Sequence, residues 1–328
     1  VSEDVAYYWY RLLRAKGIGP RRMRSLYAAV CAGLVRVEDL FGTPPPSART
    51  IGWTEGALLR LRQNDAQTTL DEYQEMTTGG CRAVYPGHVH YPERLLACTH
   101  TAVPVVFLAK GATALLLSPS VAIVGMRRAT HEGVAIARER AAQLAEAGYN
   151  VVAGHARGVD ISAHAAALQY GGTTTLVLSH GLLQFVPDRA LVGFDWNGKV
   201  LAVSQFAPRE KWTPGCAMAR NRLICALASV VVVVASGVET DEQGRHSGSF
   251  ATGTDVLRMG IPLLVVAPDA YADPPPGNEE LIRAGGRPIH TEDSIVEAVV
   301  NAEAASAVPT AGTQSPQLAF QIETTTGG

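Results

Sequence analysis

The chain has 328 residues, 47% of them hydrophobic and 18% charged. That composition suggests two or three domains able to bury a core, and it excludes a chain disordered throughout. The 28 Lys and Arg against 30 Asp and Glu leave a net charge of -2, which excludes a uniformly basic nucleic-acid coat but not a local basic site.

Residues 5–40 read as helical. Tyr7, Tyr10, Leu12 and Leu13 form one stripe, and Met23, Leu26, Tyr27 and Val30 a second. Gly17-Ile18-Gly19-Pro20 breaks the two, giving the grammar of a helix–hairpin–helix. In such a turn the glycines let the next helix bring its N–H groups to a DNA phosphate without reading bases. Lys16, Gly17, Gly19, Arg21 and Arg22 are the candidate contacts, with Arg14 and Arg24 nearby. A helical packing domain with a basic face is the structural alternative. Pro44-Pro45-Pro46 reads as a loop, and Thr54–Met76 as a third helix with Thr54 as its cap. Residues 77–117 are mixed, with turns at Gly79-Gly80, Pro86-Gly87 and Tyr91-Pro92.

From Ser118 the pattern changes. Strand-length apolar runs appear at Val121–Val124, Asn150–Ala153, Thr174–Leu178, Val200–Val203, Val230–Ala235 and Leu263–Ala267. Helical segments at Glu132–Ala147, Val159–Tyr170, Arg220–Ala228 and Phe250–Met259 lie between most of them. Continuous Val, Ile and Leu strands alternating with helices predict an α/β fold: an extended Rossmann-like, doubly wound and mostly parallel sheet, preceded by the small helical domain. In such sheets ligands bind beyond the carboxyl ends of the strands. Three units are expected: a helical domain over 1–78, the sheet domain over 79–302, and a flexible tail rich in Ala, Thr, Ser and Gly over 303–328.

The strand-end loops carry the chemistry. Gly125-Met126-Arg127-Arg128 precedes a helix, where glycine permits close backbone approach to an anion and arginines add charge-assisted contacts. A tight turn with solvated arginines is the alternative. The dinucleotide pattern G-x-G-x-x-G is absent. Gly154-His155-Ala156-Arg157-Gly158-Val159-Asp160 repeats the arrangement. Asp160 with His164, four residues on, suggests a metal or acid–base pair, but no third ligand is evident, and a helix-start carboxylate with a structural histidine explains both. Arg220-Asn221-Arg222 suits a phosphate backbone, or an internal clamp on carbonyls or carboxylates. Ser247-Gly248-Ser249 suits anion binding or simple helix capping.

Five scattered cysteines without a C-x-x-C pair fit free thiols in a reducing compartment. No basic and apolar leader opens the chain, and no apolar run approaches the roughly 20 residues that span a bilayer. A cytoplasmic protein without membrane contact is expected, with no metal and no cofactor.

Taken together, several strings resemble the DNA-processing protein A (DprA/Smf) family. They are Tyr91-Pro92 with Leu95, Val121-Ala122-Ile123-Val124-Gly125-Met126-Arg127, Gly154 through Asp160 with His164, Gly171-Gly172-Thr173, Arg220-Asn221-Arg222-Leu223-Ile224, Ser247-Gly248-Ser249, and Gly277-Asn278 through Ile282. The resemblance covers roughly residues 90–290. It implies a Rossmann-like domain without nucleotide chemistry or catalytic residues, which binds single-stranded DNA, forms a homodimer, and assists a RecA-type recombinase in DNA uptake and recombination. Carried over by position, Gly125, Arg127, Arg128, Gly154, Arg157, Arg220, Asn221, Arg222, Gly248 and Ser249 form the DNA-binding set.

The chain departs from the family at Met126, at Ala153-Gly154-His155, and at Ala217-Met218, where the family has Phe-Pro. Phe206 and Trp212 are the two candidates to replace the missing aromatic. The family's C-terminal winged-helix-like domain is not recognised. The rival readings are a nucleotide-sensing Rossmann-like domain, a diverged member of the family acting in a defence system, and a dimer or recombinase platform. A nucleoside-monophosphate-cleaving enzyme is disfavoured, because Ser249 through Asp255 shares only Gly-Thr with the string such enzymes carry.

Overall fold

The computed structural model describes residues 4–42, 53–62, 66–98, 102–196 and 198–307. Among these, nine strands form one sheet: β1 (Cys81–Val84), β2 (Phe107–Gly111), β3 (Ser120–Val124), β4 (Asn150–Ala153), β5 (Thr173–Val177), β6 (Val200–Ser204), β7 (Val230–Val233), β8 (Leu263–Val266) and β9 (Arg287–Ile289). Their order across the sheet is β1-β2-β6-β5-β4-β3-β7-β8-β9. The seven strands from β6 to β9 run parallel; β2 pairs antiparallel with β6, and β1 pairs antiparallel with β2 at the edge. All six apolar runs read from the sequence are strands. The three unread ones lie at the margins of the sheet, and β9 carries Pro288, which only an edge strand tolerates.

The helices are α1 (Val5–Arg14), α2 (Pro20–Cys31), α3 (Glu55–Arg62), α4 (Ala66–Thr78), α5 (Arg94–Ala97), α6 (His131–Glu146), α7 (Val159–Gln169), α8 (Pro214–Ala226), α9 (Gly248–Arg258), α10 (Pro276–Arg283) and α11 (Ile295–Ala307). The strands are buried on both faces, and the period of two sorts their side chains. Val121 and Ile123 of β3 join Ala137, Ala141 and Leu144 of α6 and Ala163, Ala166 and Ala167 of α7. Ala122 and Val124 face the other way, into Leu223, Ile224 and Ala226 of α8 and Phe250 and Val256 of α9.

The single helix read over Thr54–Met76 is two helices, α3 and α4, and residues 63–65 between them lie outside the described residues. Helix α8 starts at Pro214, six residues before the expected Arg220, because Thr213 caps it through the Cys216 amide and Pro214 suits the first turn. Residues 303–307, read as the start of a flexible tail, complete α11, whose Ile295, Val299 and Ala302 stripe is buried. Pro44-Pro45-Pro46 and the rest of the tail, 308–328, lie outside the described residues. Packing runs continuously across Thr78. Trp9, Leu12 and Leu26 of the helical head share a cluster with Val105 and Val106, and Tyr10, Tyr73 and Met76 share one with Leu108 and Leu176.

Candidate nucleic-acid interface

The strand order reverses at β3, which sits between β4 and β7. The carboxyl ends of β3 to β7 therefore present their loops along one edge, with the switch point at β3. The amide of Met126 donates to the Ala235 carbonyl at 2.9 Å, tying the β3 and β7 loops together. Thr130 caps α6 by accepting from the Gly133 amide. Between these anchors Arg127 and Arg128 stand exposed.

The β4–α7 loop is tied from below. Gly158 has a φ of +82°, and a β-carbon there would meet the Met126 carbonyl oxygen at 2.6 Å, so only glycine suits this position. Arg157, one residue earlier, is exposed. Arg127, Arg128 and Arg157 thus occupy two adjacent loops, and none has an ion-pair partner among the described residues.

The remaining arginines differ. Arg220 is only 5% exposed, and its Nη1 lies 3.9 Å from Oδ2 of the equally buried Asp160. Its Nε and Nη1 have no hydrogen-bond partner. Burial pushes the Asp160 carboxyl up to about 6, while Arg220 and the amides of Ala156 and Gly154 pull it back toward the ionised form. Arg220 is therefore an internal clamp under the β4–α7 loop, not a surface cation beside Arg127 and Arg157. Arg222 is half-exposed and reaches Asp255, Nε to Oδ2, at 3.5 Å. Asn221 donates to the Gly248 carbonyl at 3.2 Å, linking α8 to the start of α9.

The glycines also divide. A β-carbon on Gly125 would meet Val159 Cγ2 at 2.6 Å, so this glycine serves strand–helix packing. One on Gly154 would meet the Arg220 guanidinium at 1.6 Å. Gly154→Ala is expected to displace the clamp and cost about 1–3 kcal/mol of stability, read as a lowered urea midpoint. Gly248 has open space on its side-chain side, whereas Ser249 is buried and donates to Ser236 Oγ at 3.2 Å. Ser247 caps α9 by accepting from the Phe250 amide.

His164 serves structure. Its Nε2 donates to the Gly154 carbonyl at 2.6 Å, and its Nδ1 pairs with the Thr174 hydroxyl at 2.6 Å. Full burial pushes its pKa down to about 3, against the pull of the Gly154 carbonyl. No group of three His, Cys, Asp or Glu side chains suited to a metal occurs among the described residues.

Asn278, outside the candidate site set, pins the β7 loop. It accepts from the Ser236 amide at 2.8 Å and donates to the Val234 and Val266 carbonyls, each at 2.8 Å. Its signal was an asparagine next to glycine ahead of an apolar helix. Trp212 stands exposed in the β6–α8 loop, with the Arg127 guanidinium carbon 5.6 Å from its ring centre.

In the head, Gly17 has a φ of +79° and accepts from Arg22 Nη1 at 2.5 Å, while Gly19 caps α2 with Pro20 in the first turn. Lys16, Gly17, Gly19 and Arg21 are exposed. Arg24 turns inward to the Leu95 and Val103 carbonyls.

No helix among the described residues is long and apolar enough to cross a membrane. DNA processing protein DprA of Streptococcus pneumoniae is 32% identical over 186 residues, which are 56% of this chain and 63% of that protein. The chain spans between half and two thirds of the length of the curated DprA relatives of Streptococcus pneumoniae, Mycobacterium tuberculosis and Bacillus subtilis. The X-ray structure of the S. pneumoniae protein superposes with a TM-score of 0.67 at 26% identity, covering 86% of this chain and 94% of that one. DNA processing protein A from Helicobacter pylori, described for its single-stranded DNA binding mode, superposes with a TM-score of 0.53 at 25% identity over 67% of this chain and 94% of that one. A family model described as DNA recombination-mediator protein A matches residues 82–300. With the parallel sheet and its strand-end loops in place, the chain belongs to the DNA recombination-mediator protein A family.

Proposed function

We propose that this chain binds single-stranded DNA along the carboxyl edge of the sheet, with Arg127, Arg128 and Arg157 as its phosphate contacts. The carrying observation is that these three exposed guanidiniums, free of ion pairs among the described residues, sit on adjacent loops at the switch point. Arg222 is a weaker contact, because Asp255 offsets its charge. Gly248 gives the backbone room to approach. The DNA-processing relatives and the single-stranded DNA binding described for the H. pylori protein support the same reading.

The finer role is assistance to a RecA-type recombinase during DNA uptake or recombination, by a cytoplasmic homodimer with no catalytic residues of its own. The family's description as a recombination mediator supports it. The helical head adds a second backbone contact of helix–hairpin–helix type through Lys16, Arg21 and the Gly17–Gly19 turn, whose positive φ and exposed cations suit it.

A salt titration of binding to a labelled single-stranded oligonucleotide tests the electrostatic core. Affinity is expected to fall linearly with salt on logarithmic axes, by about 0.7 in slope per neutralised phosphate. Removing Arg127, Arg128 and Arg157 together should flatten the slope by about 2. Lys16→Ala with Arg21→Ala should flatten it separately if the head engages the same strand. A slope unchanged in the triple variant rejects the assignment.

A further inference from the structure

Trp212 is an exposed aromatic ring in a polar loop, which calls for an explanation beyond packing. Its side chain keeps 48% exposure, whereas Trp9 and Trp53 keep 2% and 4%, and Trp196 is half-buried. The loop that carries it is held at several points. The Gly181 amide donates to the Glu210 carbonyl and the Leu183 amide to the Pro208 carbonyl, both at 2.9 Å. Arg209 pairs with Glu75 of α4. Thr213, the next residue, caps α8. Gly181 belongs to the same arrangement, because a β-carbon there would meet the Ala207 and Pro208 carbonyl oxygens at 2.1 and 2.2 Å. The indole therefore stands on a braced segment and loses little freedom on binding.

Its neighbour is the other half of the argument. The Arg127 guanidinium carbon lies 5.6 Å from the ring centre, a loose cation–π contact that leaves the ring open. A nucleotide joins one phosphate to one base through a single sugar. An exposed cation beside an exposed aromatic face matches those two ends. Indole also offers what an unpaired base lacks in solution, a flat apolar partner that tolerates any sequence.

We propose that Trp212 is a base-stacking residue for single-stranded DNA, taking the base of a nucleotide whose phosphate lies on Arg127. This rests on the single-stranded DNA reading above and adds a base contact to its phosphate contacts.

The test follows intrinsic fluorescence and affinity during titration with an oligothymidine and with an abasic oligonucleotide of the same length. Trp212 is the most exposed of the four tryptophans, so stacking is expected to quench the wild-type signal. Trp212→Phe should keep affinity within about three-fold and lose the quench. Trp212→Ala should bind the oligothymidine about ten-fold more weakly, about 1.4 kcal/mol, and bind the abasic strand no worse than the wild type does. Its salt slope should match the wild type, since stacking displaces no counterions.

Wild-type affinity in Trp212→Ala overturns the proposal. So does a flattened salt slope in that variant, which would mean that the indole acts only by positioning Arg127. Wild-type protein that binds neither oligonucleotide overturns the phosphate reading and this proposal together, whereas tight, salt-dependent binding without quenching removes this proposal alone.

Discussion

Arg220→Met is expected to lower the unfolding free energy by about 3–5 kcal/mol at pH 7.5, because it leaves the Asp160 carboxylate buried without its counter-charge. Methionine keeps most of the side-chain length, so the loss reports charge more than volume. Asp160 is 5% exposed, and Arg220 is the cation held against it. With Arg220 gone, the cheapest relief is protonation of Asp160, so the defect should shrink on acidification toward pH 5. Asp160→Asn added to Arg220→Met should recover more than half of the loss, since removing both members of a buried ion pair is close to neutral. Urea unfolding of the two variants and the wild type decides it. Had Arg220 been a surface phosphate contact, the single substitution would weaken DNA binding and leave the urea midpoint within about 1 kcal/mol of wild type. That result would remove the clamp assignment.

The difference between Arg127 and Arg220 also marks what the sequence made legible. The fold was largely readable, because most of the six central strands are short runs rich in Val, Ile and Leu and most of them are followed by a helix, the pattern of a doubly covered parallel sheet. Strands β1, β2 and β9 escaped notice. They are three to five residues long and lie at the margins, where the strand–helix alternation no longer applies. The start of α8 was not legible because the Thr213 cap and Pro214 that begin it lie ahead of any apolar period.

The candidate site was legible as a set of residues but not as a set of roles. A string such as Arg220-Asn221-Arg222 shows charge and spacing, not which face of a helix each residue takes. The means to separate them was present. Ala217, Leu223 and Ile224 lie three or four positions from Arg220 and are all buried, so Arg220 shares the apolar face of α8. Arg222 is turned about 200° from Arg220 on the helix and reaches Asp255. Arg127 and Arg157 belong to loops, where no period constrains them, and their exposure became visible only once the loops were placed.

The buried histidine gives the second large effect, and its sign opposes that of Asp160. His164 is held neutral with a pKa near 3, against 6.5 for an ordinary imidazole. Below pH 6.5 the unfolded chain takes up a proton that the folded chain refuses, so stability is lost progressively as pH falls toward 3, by about 5 kcal/mol over the full window. Asp160, raised to about 6 from 3.8, works the other way: the folded chain binds its proton first, and acidification from pH 6 to 4 adds up to about 3 kcal/mol.

The histidine prevails, and the pair together favours neutral over acidic pH. His164→Gln keeps an amide donor for the Gly154 carbonyl and removes the titration. Its cost relative to wild type, measured by urea unfolding, should be largest at pH 7 and shrink by about 3 kcal/mol by pH 4, as the wild type forfeits what the variant never had. Comparing the two proteins at each pH cancels the carboxylates they share. A penalty that stays flat from pH 7 to 4 would show that His164 titrates normally in the folded chain, and that the Gly154 carbonyl, not burial, governs its protonation.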